Sequence, residues 1–266
     1  MTIIILTYLA VGAVAGVLAG LLGIGGGLVI VPMLIFCFSS QRLPHEVIMH
    51  LALGTSMASI IFTSISSFLA HHKRGAVHWT AVRRIVPGIL TGTFLGSCVA
   101  ARLSTNFLKG FLVIFLYYVV TQMLMGSKPK AGRELPGIVG ISAVGGGIGI
   151  LSSLVGIGGG TMSVPFLLWS NLGLHQAIGT SAAIGFPIAV SGTLGYLVNG
   201  ISATELPPFS IGYIYLPALA GIVLASVITA PVGVRLAHSL PVKKLKRIFA
   251  ILLLVVATKM LLDLVT

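Results

Sequence analysis

Apolar residues run along this chain in long stretches, at about 2–22, 28–38, 47–70, 84–101, 107–125, 136–155, 161–170, 175–198, 212–234 and 247–265. Most reach the ~20 residues that a helix needs to cross ~30 Å of hydrocarbon. Two do not, 28–38 and 161–170, and each directly follows a glycine cluster. At ~1.5 Å per residue, a helix of that length covers only about half a bilayer. These two segments are therefore either short tilted crossings or re-entrant half-helices, and the pattern is compatible with both.

The clusters are copies of one another. Gly23-Ile24-Gly25-Gly26-Gly27 recurs 133 residues later as Gly156-Ile157-Gly158-Gly159-Gly160, and Pro32 and Pro165 follow at the same offset. Each glycine weakens a helix by ~1 kcal/mol relative to alanine. Unwound backbone persists in a membrane only where protein or a watered cavity satisfies its N–H and C=O groups. Breaks at matching places in two halves point to a transporter binding site. The repeat extends further: His50-x-Ala52-x-Gly54-Thr55-Ser56 answers His175-x-Ala177-x-Gly179-Thr180-Ser181 at an offset of 125, as Gly75 answers Gly200. Each half holds five apolar segments, an odd number, so the second must enter the membrane upside down. The expected fold is an all-α polytopic membrane protein of two inverted five-segment repeats, with about eight to ten membrane helices. Its parts are a first repeat at 1–126, a cytoplasmic linker at 127–135 and a second, inverted repeat at 136–266.

Composition agrees, with 56% hydrophobic residues, 8% charged residues and a mean hydropathy of +1.11. A net charge of +12 would suit nucleic acid if it lay on one soluble face, but the cations occupy short loops and span ends. With the N-terminus outside, Lys73, Arg74, Arg83, Arg84, Lys128, Lys130, Arg133, Arg235, Lys243, Lys244, Lys246 and Arg247 fall inside, twelve of the 16 basic residues. Only Arg42, Arg102, Lys109 and Lys259 fall outside, as the positive-inside rule requires. The expected setting is the bacterial inner membrane, with both termini outside. Trp79 and Trp169 sit near cytoplasmic span ends, where indoles anchor. The N-terminus has no basic leader region and reads as the first span. Cys37 and Cys98 both fall in apolar segments and read as small buried hydrophobes, without a disulfide or a metal.

Paired Gly-Ile-Gly-Gly-Gly…Pro segments, paired Gly-Thr-Ser segments and the basic tail Leu240-Pro241-Val242-Lys243-Lys244 resemble the TauE/SafE family of sulfite and organosulfonate exporters over essentially the whole chain. The resemblance implies movement of small anionic sulfur or carbon compounds.

The residues themselves suggest how an anion is held. Gly25, Gly26 and Gly27, and equally Gly158, Gly159 and Gly160, expose consecutive N–H groups that attract anions. A helix starting just afterwards, near Leu28 or Thr161, adds its partial positive charge. The alternative role is close helix crossing, the expected role of Gly12, Gly16 and Gly20 and of Gly88, Gly92 and Gly96. Thr55, Ser56, Thr180 and Ser181 offer hydroxyls to an anion, or else bond back to their own helix. His50 and His175 are candidates for proton coupling or anion contact, against the alternative of neutral rings bonded to carbonyls. The acids are only Glu46, Glu134, Glu205 and Asp263, none mid-span, so a deep carboxylate relay for cations is disfavoured. No His-Glu-x-x-His, P-loop or Gly-x-Ser-x-Gly motif is present. The expectation is a secondary carrier, not an enzyme, with no cofactor, metal or nucleic acid. Its partners are a small anion and the bilayer, with a homodimer left open, and an anion channel or an importer is the alternative activity.

Overall fold

The computed structural model describes residues 2–23, 25–125, 135–203, 205–239 and 242–265. Ile24, nearly all of the expected linker and the Leu240-Pro241 part of the basic tail lie outside the described residues. Among the described residues the first half forms α1 (Thr2–Leu22), α2 (Gly27–Ser40), α3 (His45–His72), α4 (Trp79–Ala100) and α5 (Thr105–Met125). The second half forms α6 (Ile138–Val155), α7 (Gly160–Trp169), α8 (Leu174–Gly200), α9 (Leu216–Ser239) and α10 (Val242–Val265). Between α8 and α9 lie two-residue strands, β1 (Ser210–Ile211) and β2 (Ile214–Tyr215), paired antiparallel. Among the described residues the ten apolar segments are thus ten helices, and six of these are long and apolar enough to cross a membrane. Side chains such as Ile3, Ile114, Val139 and Ile228 stand out from the bundle, each more than 70% exposed, as lipid-facing positions require.

The pairing of helices is symmetric under exchange of the halves. Helix α1 packs along α9, and its counterpart α6 packs along α4; α3 packs on α8, and α5 on α10. Both long seams are built from glycine. A Cβ at Gly12, Gly16 or Gly20 would strike the α9 backbone at Ile222, Ser226 or Ala230, and one at Gly88 or Gly92 the α6 backbone at Ser142 or Gly146. Such contact replaces a hydrophobic driving force that lipid cannot supply. These two ladders are packing surfaces, as their spacing suggested.

Helices α3 and α8 form the centre and run in opposite directions. Gly54, near the start of α3, approaches Tyr196, near the end of α8, within 3.1 Å of a Cβ position. At the other end His71 of α3 lies 5.7 Å from the His238 ring, which stacks on His175 of α8 at 4.7 Å. That antiparallel core is consistent with an inverted repeat. Helix α2 runs back along α1, because the Gln41 amide that follows α2 donates to the Tyr8 hydroxyl at 2.8 Å. The first break therefore turns the chain back toward the face from which it came.

Candidate functional site

Each break ends one helix and starts another on glycines that no other residue could easily replace. Gly23 (φ 68°) and Gly156 (φ 73°) follow α1 and α6, and Gly26 (φ 80°) and Gly159 (φ 73°) cap the starts of α2 and α7. All four are left-handed, a conformation that costs side-chain-bearing residues ~1–2 kcal/mol. The two breaks touch. A Cβ on Gly25 would lie 3.2 Å from Gly158 Cα, and one on Gly27 would collide with the Gly156 carbonyl. Residues 25–27 and 156–160 are all buried. The first N–H groups of α2 and α7 have no intrahelical acceptor, so both breaks carry backbone donors.

The paired hydroxyls tie the halves together. Ser56 Oγ donates to the Gly156 carbonyl at 2.7 Å, and Ser181 Oγ donates to the Gly23 carbonyl at 2.9 Å. Each serine thus satisfies a carbonyl left over at the helix end in the opposite half. Thr55 Oγ1 accepts the Tyr215 N–H and Thr180 Oγ1 accepts the His78 N–H, both at 2.9 Å. Those N–H groups belong to the residues just before α9 and α4, so the threonines fix where these helices begin. The sequence suggested contact with an anion or a bond within the same helix. In this conformation all four hydroxyls instead bond to backbone elsewhere in the fold.

Differences between the repeats carry the remaining chemistry. Around the second break stand Ser152, Thr161 and Ser163, where the first half has Ala19, Leu28 and Ile30 at the offset of 133. Ile60 presses within 3.0 Å of a Cβ position on Gly25, whereas its counterpart beside Gly158 is Gly185. Ser163 Oγ contacts both the Gly159 carbonyl, at 3.1 Å, and Ser181 Oγ, at 2.8 Å. Ser152 Oγ and Thr161 Oγ1 are different. Both residues are at least 95% buried, and neither oxygen has a hydrogen-bond partner among the described residues. Ser152 Oγ lies 3.3 Å from a Cβ position on Gly159, and Thr161 is in the first turn of α7. Two unpartnered hydroxyls thus flank the cap of one half-helix only. In the first half, the nearby hydroxyls of α3 are engaged: Ser59 donates to the Ser56 carbonyl at 2.8 Å, and Thr63 and Ser226 share a bond of 2.7 Å. Ser152 and Ser163 lie outside the motifs that the repeats share and stand out only where the two repeats differ.

The histidines occupy opposite ends of the bundle. His50 is buried, its Nδ1 3.3 Å from the Glu46 carbonyl and its Nε2 3.2 Å from the Ala100 carbonyl, with its ring stacked on Tyr213. A neutral ring can donate to only one of those carbonyls; a protonated ring can donate to both. His175 is exposed and stacks on His238. His71 Nε2 lies 2.9 Å from the Gly20 carbonyl. Among the described residues no three His, Cys, Asp or Glu side chains are grouped to hold a metal ion.

A bundle with lipid-facing side chains and, among the described residues, six helices able to cross a bilayer is a multi-pass membrane protein. A family model described as "Sulfite exporter TauE/SafE" matches residues 8–260, and the chain belongs to that family. It is 42% identical to a "Probable membrane transporter protein" of Haemophilus influenzae, over 97% of this chain and 98% of that protein. A second relative, "Probable membrane transporter protein YunE" of Bacillus subtilis, is 30% identical over 75% of this chain and 80% of its own. A third, "Probable membrane transporter protein MJ0441" of Methanocaldococcus jannaschii, is 27% identical over 95% of this chain and 93% of its own. No solved structure matches the chain.

Proposed function

We propose that this protein is a secondary carrier, not an enzyme, that exports a small oxyanion such as sulfite, an organosulfonate or a related carboxylate across the bacterial inner membrane. The observation that carries this reading is the pair of unpartnered, buried hydroxyls at the cap of α7, Ser152 and Thr161. A half-helix N-terminus supplies backbone donors and a partial positive charge. Hydroxyls beside it add neutral donors, so an anion is held and released without a buried counter-ion. The family description names a sulfite exporter, which supports the substrate class. An inverted repeat would let the two halves rock around touching breaks, the geometry of alternating access. Efflux of an anion gains ~2.3 kcal/mol per charge per 100 mV from an inside-negative potential, so proton coupling is not a requirement.

In this reading Gly158, Gly159, Gly160 and Thr161 line the substrate, with Ser152 added. Gly25, Gly26 and Gly27 form the opposing wall. Thr55, Ser56, Thr180 and Ser181 hold the two walls in register. The test is sulfite flux from proteoliposomes. A carrier gives saturable efflux and accelerated exchange with sulfite on the far side. Non-saturating flux without counterflow identifies a channel and rejects the carrier, and no sulfite or sulfonate flux rejects the substrate class.

A further inference from the structure

Away from the breaks, a cavity of about 390 Å³ opens between the C-terminal ends of α3 and α9, lined by Ser66, Leu69, Ala70, Lys73, Arg74, Pro231, Val234 and Arg235. Its origin is visible in the sequence of α9. Pro231 has no N–H, so the Val227 carbonyl one turn earlier loses its helical donor. Ser66 Oγ of α3 donates to that carbonyl at 2.8 Å, which fixes the floor where the two helices separate. Above the floor the walls are apolar, with Leu69, Ala70, Pro231 and Val234. The rim carries three cations, Lys73, Arg74 and Arg235, all exposed. Among the described residues, no carboxylate lines the cavity. This is also the end of the bundle that the charge distribution along the chain assigns to the cytoplasm.

We infer that this cavity is a binding site for an oxyanion, seated on Lys73, Arg74 and Arg235 at the rim. Three cations at the mouth of an apolar throat, with no acid among the described lining residues, match a phosphate or sulfonate group that carries an apolar tail, and the volume lies within the range of ligand sites. Basic pockets between membrane helices on the cytoplasmic side recognise anionic headgroups by this chemistry. The same rim would also receive a free oxyanion from the cytosol. The site is separate from the breaks and does not depend on the export reading.

The experiment uses the full-length protein in detergent and two probes, phosphatidylglycerol and sulfite, with phosphatidylcholine as the neutral lipid. Lipid binding is titrated by native mass spectrometry, and sulfite binding by thermal shift without added lipid. The variants are Arg235→Gln alone, the triple variant Lys73→Gln/Arg74→Gln/Arg235→Gln, and a control, Arg83→Gln/Arg84→Gln, on exposed positions of α4. Each rim cation is worth about fivefold in affinity for an anionic headgroup, so the triple variant loses on the order of a hundredfold. Loss of phosphatidylglycerol binding in the triple variant, with phosphatidylcholine unaffected, identifies a lipid site. Loss of the sulfite response alone identifies a site for the free oxyanion. If neither probe weakens in the triple variant by more than in the control, the site does not exist.

Discussion

Replacing Thr161 by valine removes one hydroxyl and nearly keeps the shape of the side chain, and the two possible roles of that hydroxyl differ in what happens to substrate affinity. Thr161 is 5% exposed and its oxygen has no partner among the described residues. A buried hydroxyl without a hydrogen bond costs roughly 1–3 kcal/mol. If it stands idle, valine removes that cost and stabilises the fold, and transport is unchanged. If it donates to a bound anion, the substrate loses a hydrogen bond to a charged group, about 1.5–3 kcal/mol. That corresponds to about 10- to 150-fold weaker binding. The expected outcome for Thr161→Val is therefore a folded protein, no less stable than wild type without ligand, with a half-saturation for sulfite raised at least about tenfold. Unfolding is followed by thermal melts in detergent, and half-saturation by initial efflux rates from proteoliposomes. Ser152→Ala should share the loss of affinity. An unchanged half-saturation in both variants would refute the assignment of these hydroxyls to the substrate.

Ser56→Ala and Ser181→Ala should behave in the opposite way, each leaving a buried carbonyl at the far break unsatisfied and lowering stability by about 1–3 kcal/mol, seen as a lower melting midpoint; unchanged midpoints in both variants would remove their role as ties. His50→Gln or His175→Gln should flatten the pH dependence of efflux, and unchanged profiles in both exclude these rings from coupling. With Cys37 and Cys98 replaced by alanine, a cysteine at Ser40 should react with an impermeant maleimide from the face that labels the N-terminus, and one at Arg74 only from the other face. Labelling of Ser40 and Arg74 positions from the same face contradicts the turn-back of α2.

The hydropathy pattern alone determined a great deal here. Helix number, helix positions within a few residues and the membrane class follow from lipid as solvent, which forces every buried backbone group into a local helical bond. The paired breaks were equally legible, because Gly23 and Gly156, and Gly26 and Gly159, hold the same left-handed conformation at the same offset in both halves. The division of the site was not. The direction of α2, which ends beside Tyr8 near the start of α1, depended on Gln41 meeting Tyr8, a contact 33 residues apart, and it fits a short crossing and a half-helix alike. The fate of the Gly-Thr-Ser hydroxyls depended on partners 100 to 160 residues away. A hydroxyl in a sequence is a donor without an address. Only packing decided that Ser56 and Ser181 close carbonyls in the opposite half while Ser152 and Thr161 face no partner among the described residues. Hydrogen bonds reach about 3 Å in space and are blind to sequence separation, so their pairing belongs to the tertiary structure.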